Sequence, residues 1–313
     1  LGIILQENGE LNLAIAHYNN GLEITPDDPE AHNNLGNIFQ KQGNLNTAID
    51  HYHKALTLHP NYPEALYNLG IALQEQGNLN AAITSYNKAI ELRPNYPEAH
   101  NNLGNALREN GDINAAISSY NKALELNPDH REANLNHALI TLLVGDYKQG
   151  WAGYEWRHKE EVDGSTTHAI PKCKHWDGSP IAAGGKILLI SEQGLGDTIQ
   201  FVRYAIALKA KGLSISICAQ PKLHSLIQAS NLDHSPLTPE EANEVSDSPW
   251  ATLLSIPQHL GVSPDNPIIT QPYIATSDSL KNKWESLLRA EQRPIIGINW
   301  QGNPKVEKTG LRG

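Results

Sequence analysis

The sequence contains no methionine and only two cysteines among its 313 residues, and it has no uninterrupted apolar run of 18 residues. Two cysteines are too few for a disulfide framework, so a reducing, cytoplasmic location is expected. Without a long apolar run, no membrane-spanning helix is predicted. Because the chain lacks methionine and starts within a repeat pattern at Leu1, we expect further sequence upstream, including any targeting signal.

Basic charge is also scarce. The chain has 24 Lys and Arg against 34 Asp and Glu, which gives a formal net charge of −10. Counted along the sequence, residues 1–159 hold 10 basic and 18 acidic side chains, and residues 160–313 hold 14 and 16. Nucleic acid binding needs a basic face, so no nucleic acid partner is expected. Cys173 and His175, with no second pair, fall short of a zinc site, and no metal is predicted.

A period of 34 residues dominates the first half. Residues 29–62, 63–96 and 97–130 align without gaps. They share Leu35/Leu69/Leu103, Gly36/Gly70/Gly104, Gly43/Gly77/Gly111, Ala48/Ala82/Ala116, Tyr52/Tyr86/Tyr120, Ala55/Ala89/Ala123 and Pro60/Pro94/Pro128. Small residues allow two helices to approach closely, glycine ends the first helix, and proline ends the second. This pattern resembles the tetratricopeptide repeat.

Two incomplete copies flank the three full ones. Residues 1–28 form a partial repeat, and residues 131–159 form a degenerate one that contains Trp151 and Trp156. A deviant last repeat is typical where a solenoid caps itself or contacts another domain. Either role fits the two tryptophans. We therefore assign residues 1–159 to an α-solenoid.

One set of polar residues recurs on the first helix of the repeats, at Asn34, Asn68, Asn102 and Asn136. A side-chain amide both donates and accepts hydrogen bonds, so amides stacked on a concave face could bind the backbone of an extended protein or peptide ligand. Some tetratricopeptide proteins, including the protein O-GlcNAc transferases, have an asparagine ladder that these positions resemble. The alternative is that asparagine is only a tolerated consensus residue here. The histidines on these helices show no ligand-like spacing.

An α/β pattern follows a linker at residues 160–185. Lys186–Ser191 is predicted as a buried strand, Asp197–Lys211 as one helix, and Leu213–Ala219 as a second strand. The predicted fold class is thus α plus α/β, with a Rossmann-like lobe over residues 186–292.

A Gly-Leu-Gly-Asp turn joins the first strand to the first helix of this lobe. A dinucleotide site fits poorly, because Ile199 replaces the third glycine and the second strand ends without an acidic residue. A P-loop is excluded, since no Gly-Lys-Ser/Thr follows. Asp197 would repel a phosphate, and it suits either helix capping or proton transfer.

The segment PKCKHWDGSPIAAGGKILLISEQGLGDTIQFVRY, with the later LLSIPQHLG and IGINWQGNPKVEKTGLRG, resembles bacterial proteins that join tetratricopeptide repeats to a heptosyltransferase-like glycosyltransferase of the GT-B type. The resemblance implies that Asp197 is the catalytic base that deprotonates an acceptor hydroxyl. It also implies an acceptor loop at Gln193, Gly194 and Gly196 and a nucleotide-sugar donor.

The donor side would belong to a C-terminal lobe, of which only the start, residues 293–313, is expected in this sequence. Lys305, Lys308 and Arg312 are candidate contacts to the donor phosphates, because positive charge would stabilise the departing diphosphate. An exposed basic loop is the alternative. The fragment itself is therefore expected to be inactive.

Two functions follow from the sequence. The first is a protein-binding scaffold fused to a glycosyltransferase. The second is a non-catalytic scaffold or adaptor, in which the glycosyltransferase-like part is a degenerate docking module.

Overall fold

The computed structural model describes residues 1–158, 167–268 and 271–288. Contacts between Cα atoms divide the chain into two compact units. The first unit contains residues Leu1–Thr166 and Leu254–Ile268, and the second contains Thr167–Leu253 and Ile269–Gly313.

The described residues form α-helices and three short strands. The helices are α1 (Gly2–Glu7), α2 (Leu11–Ile24), α3 (Pro29–Lys41), α4 (Leu45–Leu58), α5 (Pro63–Glu75), α6 (Leu79–Leu92), α7 (Pro97–Glu109), α8 (Ile113–Leu126), α9 (Arg131–Leu143), α10 (Tyr147–Tyr154), α11 (Leu195–Phe201), α12 (Tyr204–Ala210), α13 (His224–Ala229), α14 (Pro239–Asn243), α15 (Ile256–Leu260) and α16 (Asp278–Leu288). The strands are β1 (Lys186–Ile190), β2 (Ser214–Cys218) and β3 (Trp250–Thr252). No helix of the described part is long and apolar enough to cross a membrane.

Helices α1 to α10 form five successive helical hairpins, which confirms the predicted helical repeat array. The turn within a hairpin is built from glycine followed by a capping residue. Gly77 has a φ of 85°, which favours glycine, and the backbone N–H of Asn78 donates to the carbonyl of Leu73 at 2.8 Å. The Asn78 side chain then accepts from the N–H of Ala81 and begins α6. The same turn recurs at Gly43–Asn44, Gly111–Asp112 and Gly145–Asp146.

Each full hairpin is closed by a tyrosine that packs against a glycine. A Cβ atom added at Gly70 would lie 2.5 Å from Cε1 of the fully buried Tyr86. The pairs Gly36–Tyr52 and Gly104–Tyr120 show the same approach. Glycine is therefore required at these helical positions by space and not by backbone conformation.

In the last hairpin the two helices approach each other as closely, but different residues allow the approach. Ala138 stands where the earlier repeats have the packed glycine, and glycine appears instead on the opposite helix. A Cβ added at Gly153 would lie 2.9 Å from Cβ of Ala138, and one added at Gly150 would lie 2.5 Å from Cγ of Leu142. The glycines of the last repeat have thus moved from α9 to α10.

The first helices of neighbouring hairpins contact one another. Helix α3 contacts α5, α5 contacts α7, and α7 contacts α9, whereas successive second helices make fewer contacts. Closer spacing of the first helices places them on the inner side of the array. We call the surface of α3, α5, α7 and α9 the inner face.

Residues 254–268 pack on the last hairpin within the first unit. Helix α15 contacts α10, and the indole Nε1 of Trp151 donates to the carbonyl of Val262 at 3.1 Å. Trp156 is half-buried in the 3₁₀ turn Glu155–His158 that follows α10. Trp151 therefore contacts a segment of the first unit that lies 111 residues further along the chain.

The second unit contains a three-stranded parallel sheet with the order β2-β1-β3. In β1, four of the five residues are fully buried, as expected for a central strand covered on both faces. Leu188 and Ile190 pack on one face with Ala169, Cys218 and Ala242. The predicted strands are thus confirmed as a small parallel sheet, while assignment to a GT-B lobe stays a prediction.

The described part of the predicted linker is folded against this sheet. Trp176 is 7% exposed, and its backbone N–H donates to the carbonyl of Trp250 at 2.7 Å. Both cysteines are free.

Candidate binding face and loop site

The predicted asparagine ladder lies on the inner face, where its amides join neighbouring repeats. Nδ2 of Asn68 donates to Oδ1 of Asn33 at 3.0 Å. Nδ2 of Asn102 donates to the hydroxyl of Tyr67 at 3.0 Å, and Nδ2 of Asn136 donates to Oδ1 of Asn101 at 3.0 Å. Each bond connects residues 35 positions apart, so one side-chain amide per repeat aligns the first helices.

A second row of hydrogen bonds runs beside the first. Nε2 of Gln40 donates to Oε1 of Glu75 at 3.0 Å, and Nε2 of Gln74 donates to Oε1 of Glu109 at 2.8 Å. This row is anchored in the core, because the hydroxyl of Tyr86 donates to Oε1 of Gln74 at 3.0 Å. Burial raises the pKa of Tyr86 and keeps its hydroxyl protonated as a donor.

The two rows retain hydrogen-bonding capacity for a ligand. A primary amide offers two donors and two acceptor lone pairs, and each ladder bond uses one donor. All four predicted ladder asparagines, Asn34, Asn68, Asn102 and Asn136, are half-buried. A cavity of about 440 Å³ opens at Asn68. It is lined by Gln6, Asn37, Gln40, Lys41, Asn68 and Glu75.

The polar character of the inner face ends at α9. Leu139 occupies the position of Asn37, Ile71 and Asn105 and is 44% exposed. Leu143 occupies the position of Glu75 and Glu109 and is 69% exposed. The aligned repeats contain a signal for this apolar end, since leucine replaces the polar residues of the preceding repeat at both positions of the last repeat.

The Gly-Leu-Gly-Asp turn of the second unit lies at the carboxyl end of the central strand β1. The chain leaves β1 for β2 on one side and later returns to β3 on the other side. In open parallel sheets such a switch point leaves a crevice at the strand ends, where ligands bind. The sheet order therefore puts the turn at a favourable position for a ligand.

Asp197 is half-buried and begins α11 with a capping interaction. Its Oδ2 accepts from the backbone N–H of Gly194 at 3.1 Å, and its Oδ1 has no hydrogen bond within the described residues. Gln193 has a left-handed φ of 54°, and its carbonyl accepts from Nε2 of Gln220 at 3.3 Å. A Cβ added at Gly196 would meet no atom within 4 Å, so the turn is open on that side.

The other predicted site residues do not join this turn. His175 packs edge-on against Trp250 with ring centroids 4.6 Å apart, and Cys173 accepts from Nε1 of Trp250 through its carbonyl. Lys305, Lys308 and Arg312, with residues 293–313 as a whole, lie outside the described residues. Within the described part, no group of three or more His, Cys, Asp or Glu side chains could hold a metal ion.

Several solved structures are similar to about half of this chain. The crystal structure of MamA matches with a TM-score of 0.46 and 26% identity over 50% of this chain and 91% of that chain. Pseudomonas aeruginosa pilF matches with a TM-score of 0.48 and 26% identity over 50% and 71%. YrrB, described as a TPR protein with an unusual peptide-binding site, matches with a TM-score of 0.43 and 24% identity over 50% and 80%.

A search of curated proteins finds no match. Models of protein families, in contrast, match the sequence of the repeat region. The family model described as TPR repeat matches residues 2–43, 36–77 and 73–111, and the model described as tetratricopeptide repeat matches residues 97–130. Residues 2–130 are therefore an array of tetratricopeptide repeats.

Proposed function

We propose that the repeat array binds an extended segment of another protein along its inner face. The observation that carries this proposal is the pair of amide rows, which are held in register by hydrogen bonds between repeats and retain donors and acceptors for a peptide backbone. Backbone binding by side-chain amides makes few demands on the ligand sequence. The array therefore acts as a scaffold for protein interaction.

The test compares Asn68→Ala and Asn102→Ala with Asn87→Ala in binding to a peptide array. Asn87 is exposed on the second helix α6 and lies off the inner face, so it serves as the matched control. Each ladder substitution should weaken binding roughly tenfold, since two lost hydrogen bonds are worth about 1–2 kcal/mol. Thermal unfolding separates this effect from lost inter-repeat bonding. Unchanged binding in both ladder variants would rule out the amides as ligand contacts.

For the second unit we propose the acceptor side of a glycosyltransferase with a nucleotide-sugar donor. The switch-point position of the turn and the unpartnered Oδ1 of Asp197 among the described residues support this assignment. In that role Asp197 takes the proton of the acceptor hydroxyl as it attacks the anomeric carbon. Gln193, Gly194 and Gly196 line the acceptor, and Lys305, Lys308 and Arg312 neutralise the leaving diphosphate.

The rival role, a non-catalytic module, assigns Asp197 only to helix capping. Asp197→Asn in the intact protein separates the two, because asparagine still accepts from the Gly194 N–H but cannot serve as a base. Sugar transfer from a panel of nucleotide sugars should fall by about 10²–10⁴-fold in this variant. Asp278→Asn, at an exposed position on α16, is the control. Full transfer activity in Asp197→Asn would exclude the base assignment.

A further inference from the structure

Two histidines of the first full repeat face each other across the hairpin. His32 lies on α3 and His51 on α4, and their Nδ1 atoms are 3.1 Å apart. Both side chains are half-buried, and their ring planes are inclined by 39°. Their separation of 19 positions gives no ligand-like spacing in the sequence, yet the fold brings the two nitrogens together.

The first of these rings has a counterpart two repeats later. His32 follows Pro26 by six positions, as His100 follows Pro94. At the corresponding place two repeats later, Nε2 of His100 lies 3.2 Å from the carbonyl oxygen of Pro94. By the same repeat geometry we infer that Nε2 of His32 faces the Pro26 carbonyl while its Nδ1 faces His51. Carbonyl acceptors orient metal-binding histidines in this way.

The distance between the two nitrogens matches the separation of two adjacent ligand atoms on one metal ion. Zn–N bonds of about 2.0–2.1 Å separate two adjacent ligands by about 2.9–3.4 Å, depending on whether the geometry is square or tetrahedral. The observed 3.1 Å lies in this interval. It is also the length of an N–H···N hydrogen bond, so the two nitrogens share a proton in the absence of an ion. An ion would lie off the line between the two nitrogens, so the rings must tilt to direct both lone pairs at it.

Burial and an aromatic neighbour constrain the two rings. The ring of Phe39 stacks on His51 with centroids 5.4 Å apart. Burial, followed by the charge of Lys54 and the neighbouring His32, lowers the pKa of His51 to about 4. The carboxylates of Asp28 and Asp50 act in the opposite direction, but burial and Lys54 outweigh them at the two rings.

We propose that His32 and His51 form a two-histidine site for a borderline divalent transition-metal ion, with Zn²⁺, Ni²⁺ and Cu²⁺ as candidates and water completing the coordination sphere. Imidazole nitrogens suit these ions. When the ion binds, the shared proton moves from Nδ1 to Nε2 of the ring that carried it, so both rings stay neutral and both Nδ1 lone pairs bind the ion. The bound ion cross-links α3 to α4 and stabilises the hairpin by mass action.

The test is isothermal titration calorimetry of the 313-residue chain with ZnCl₂ and NiCl₂ at pH 7. His32→Asn and His51→Asn should each weaken the affinity of one site by more than tenfold, and the ion should raise the melting temperature of the parent chain but not of these variants. His53→Asn, an exposed position on the same helix as His51, is the control and should bind as the parent does. Equal affinity in all four proteins, or no binding at about 1 mM ion, would overturn the proposal.

A gain-of-site variant tests the geometry independently. His100 and Ser119 occupy the positions of His32 and His51 two repeats later, and His100 already has its carbonyl partner. Ser119→His should therefore add a second bound ion, and His100→Asn in that background should remove it. A Ser119→His variant with native helical circular dichroism and no second ion would contradict the geometric argument.

Discussion

Arg157 and Ser255 lie 98 residues apart in the sequence, and Nη2 of Arg157 donates to Oγ of Ser255 at 2.6 Å. Nη1 of Arg157 also pairs with Oε1 of Glu155 at 2.7 Å, and Oγ of Ser255 donates to Oε2 of Glu155 at 2.9 Å. The Arg157 side chain is only 5% exposed. Because these bonds compensate its buried charge, the arginine holds residues 254–268 to the last repeat.

Arg157→Met should therefore destabilise the end of the first unit by about 3 kcal/mol, since removal of one partner leaves Glu155 and Ser255 without their cation. The measurement is the urea midpoint, combined with limited proteolysis near residue 255. Lys148→Met, at an exposed position on α10, should leave both unchanged. Equal proteolysis of the two variants would show that Arg157 does not hold this segment.

Gly70→Ala should lower the free energy of unfolding by about 1–3 kcal/mol, because its new Cβ overlaps the ring of Tyr86 and the core is already filled. Gly21→Ala is the matched control, since Gly21 lies within α2 and an added Cβ meets nothing within 4 Å. That control should gain up to about 1 kcal/mol from the higher helix propensity of alanine. Denaturant unfolding followed by circular dichroism measures both. The same sign in the two variants would contradict the packing argument.

The buried hydroxyl of Tyr120 should make the fold less stable in alkali. Burial raises its pKa to about 12, against about 10 in an unfolded chain. Between these values the unfolded state has released the proton and the folded state retains it, so stability is complete below pH 10 and falls as pH rises towards 12. Tyr120→Phe should reduce the fall in urea midpoint between pH 9 and pH 11. An identical fall in the variant would exclude Tyr120 as a contributor.

The two cysteines should react with thiol reagents at very different rates. Cys218 is fully buried, and burial raises its pKa to about 12, whereas Cys173 is only half-buried. At pH 8, Ellman's reagent should modify Cys173 first and Cys218 roughly 100-fold more slowly or only after unfolding. Cys173→Ser should remove the fast phase of absorbance at 412 nm. A fast phase that persists in this variant would show that Cys218 is accessible.

The repeat array could be predicted from sequence because its contacts are local. The turn glycines, caps and Gly–Tyr pairs all lie within one 34-residue unit, and the repetition displays them three times. The hydrogen bond from Asn68 to Asn33 could be identified only from the structure. The sequence shows that asparagine recurs at this position, but it does not show whether its side chain bonds to the neighbouring repeat.

The second unit was less predictable. The single predicted helix Asp197–Lys211 is two helices, α11 and α12, and the break at Val202 and Arg203 contains no glycine or proline to signal it. Val202 is 1% exposed, and both residues keep right-handed helical backbone angles, so no residue type marks this break. The contact between Arg157 and Ser255 likewise has no local signal.

The displaced glycines of the last hairpin limit how the array can grow. A duplicated unit ahead of residue 131 would make the same contacts with its neighbours as an existing unit does, because those units share the packing of glycine on tyrosine. A copy of the last hairpin would carry Trp151 to a place that lacks its partner segment, residues 254–268. We therefore expect that adding or removing one 34-residue unit ahead of residue 131 changes the length of the array and leaves the junction beyond α10 unchanged.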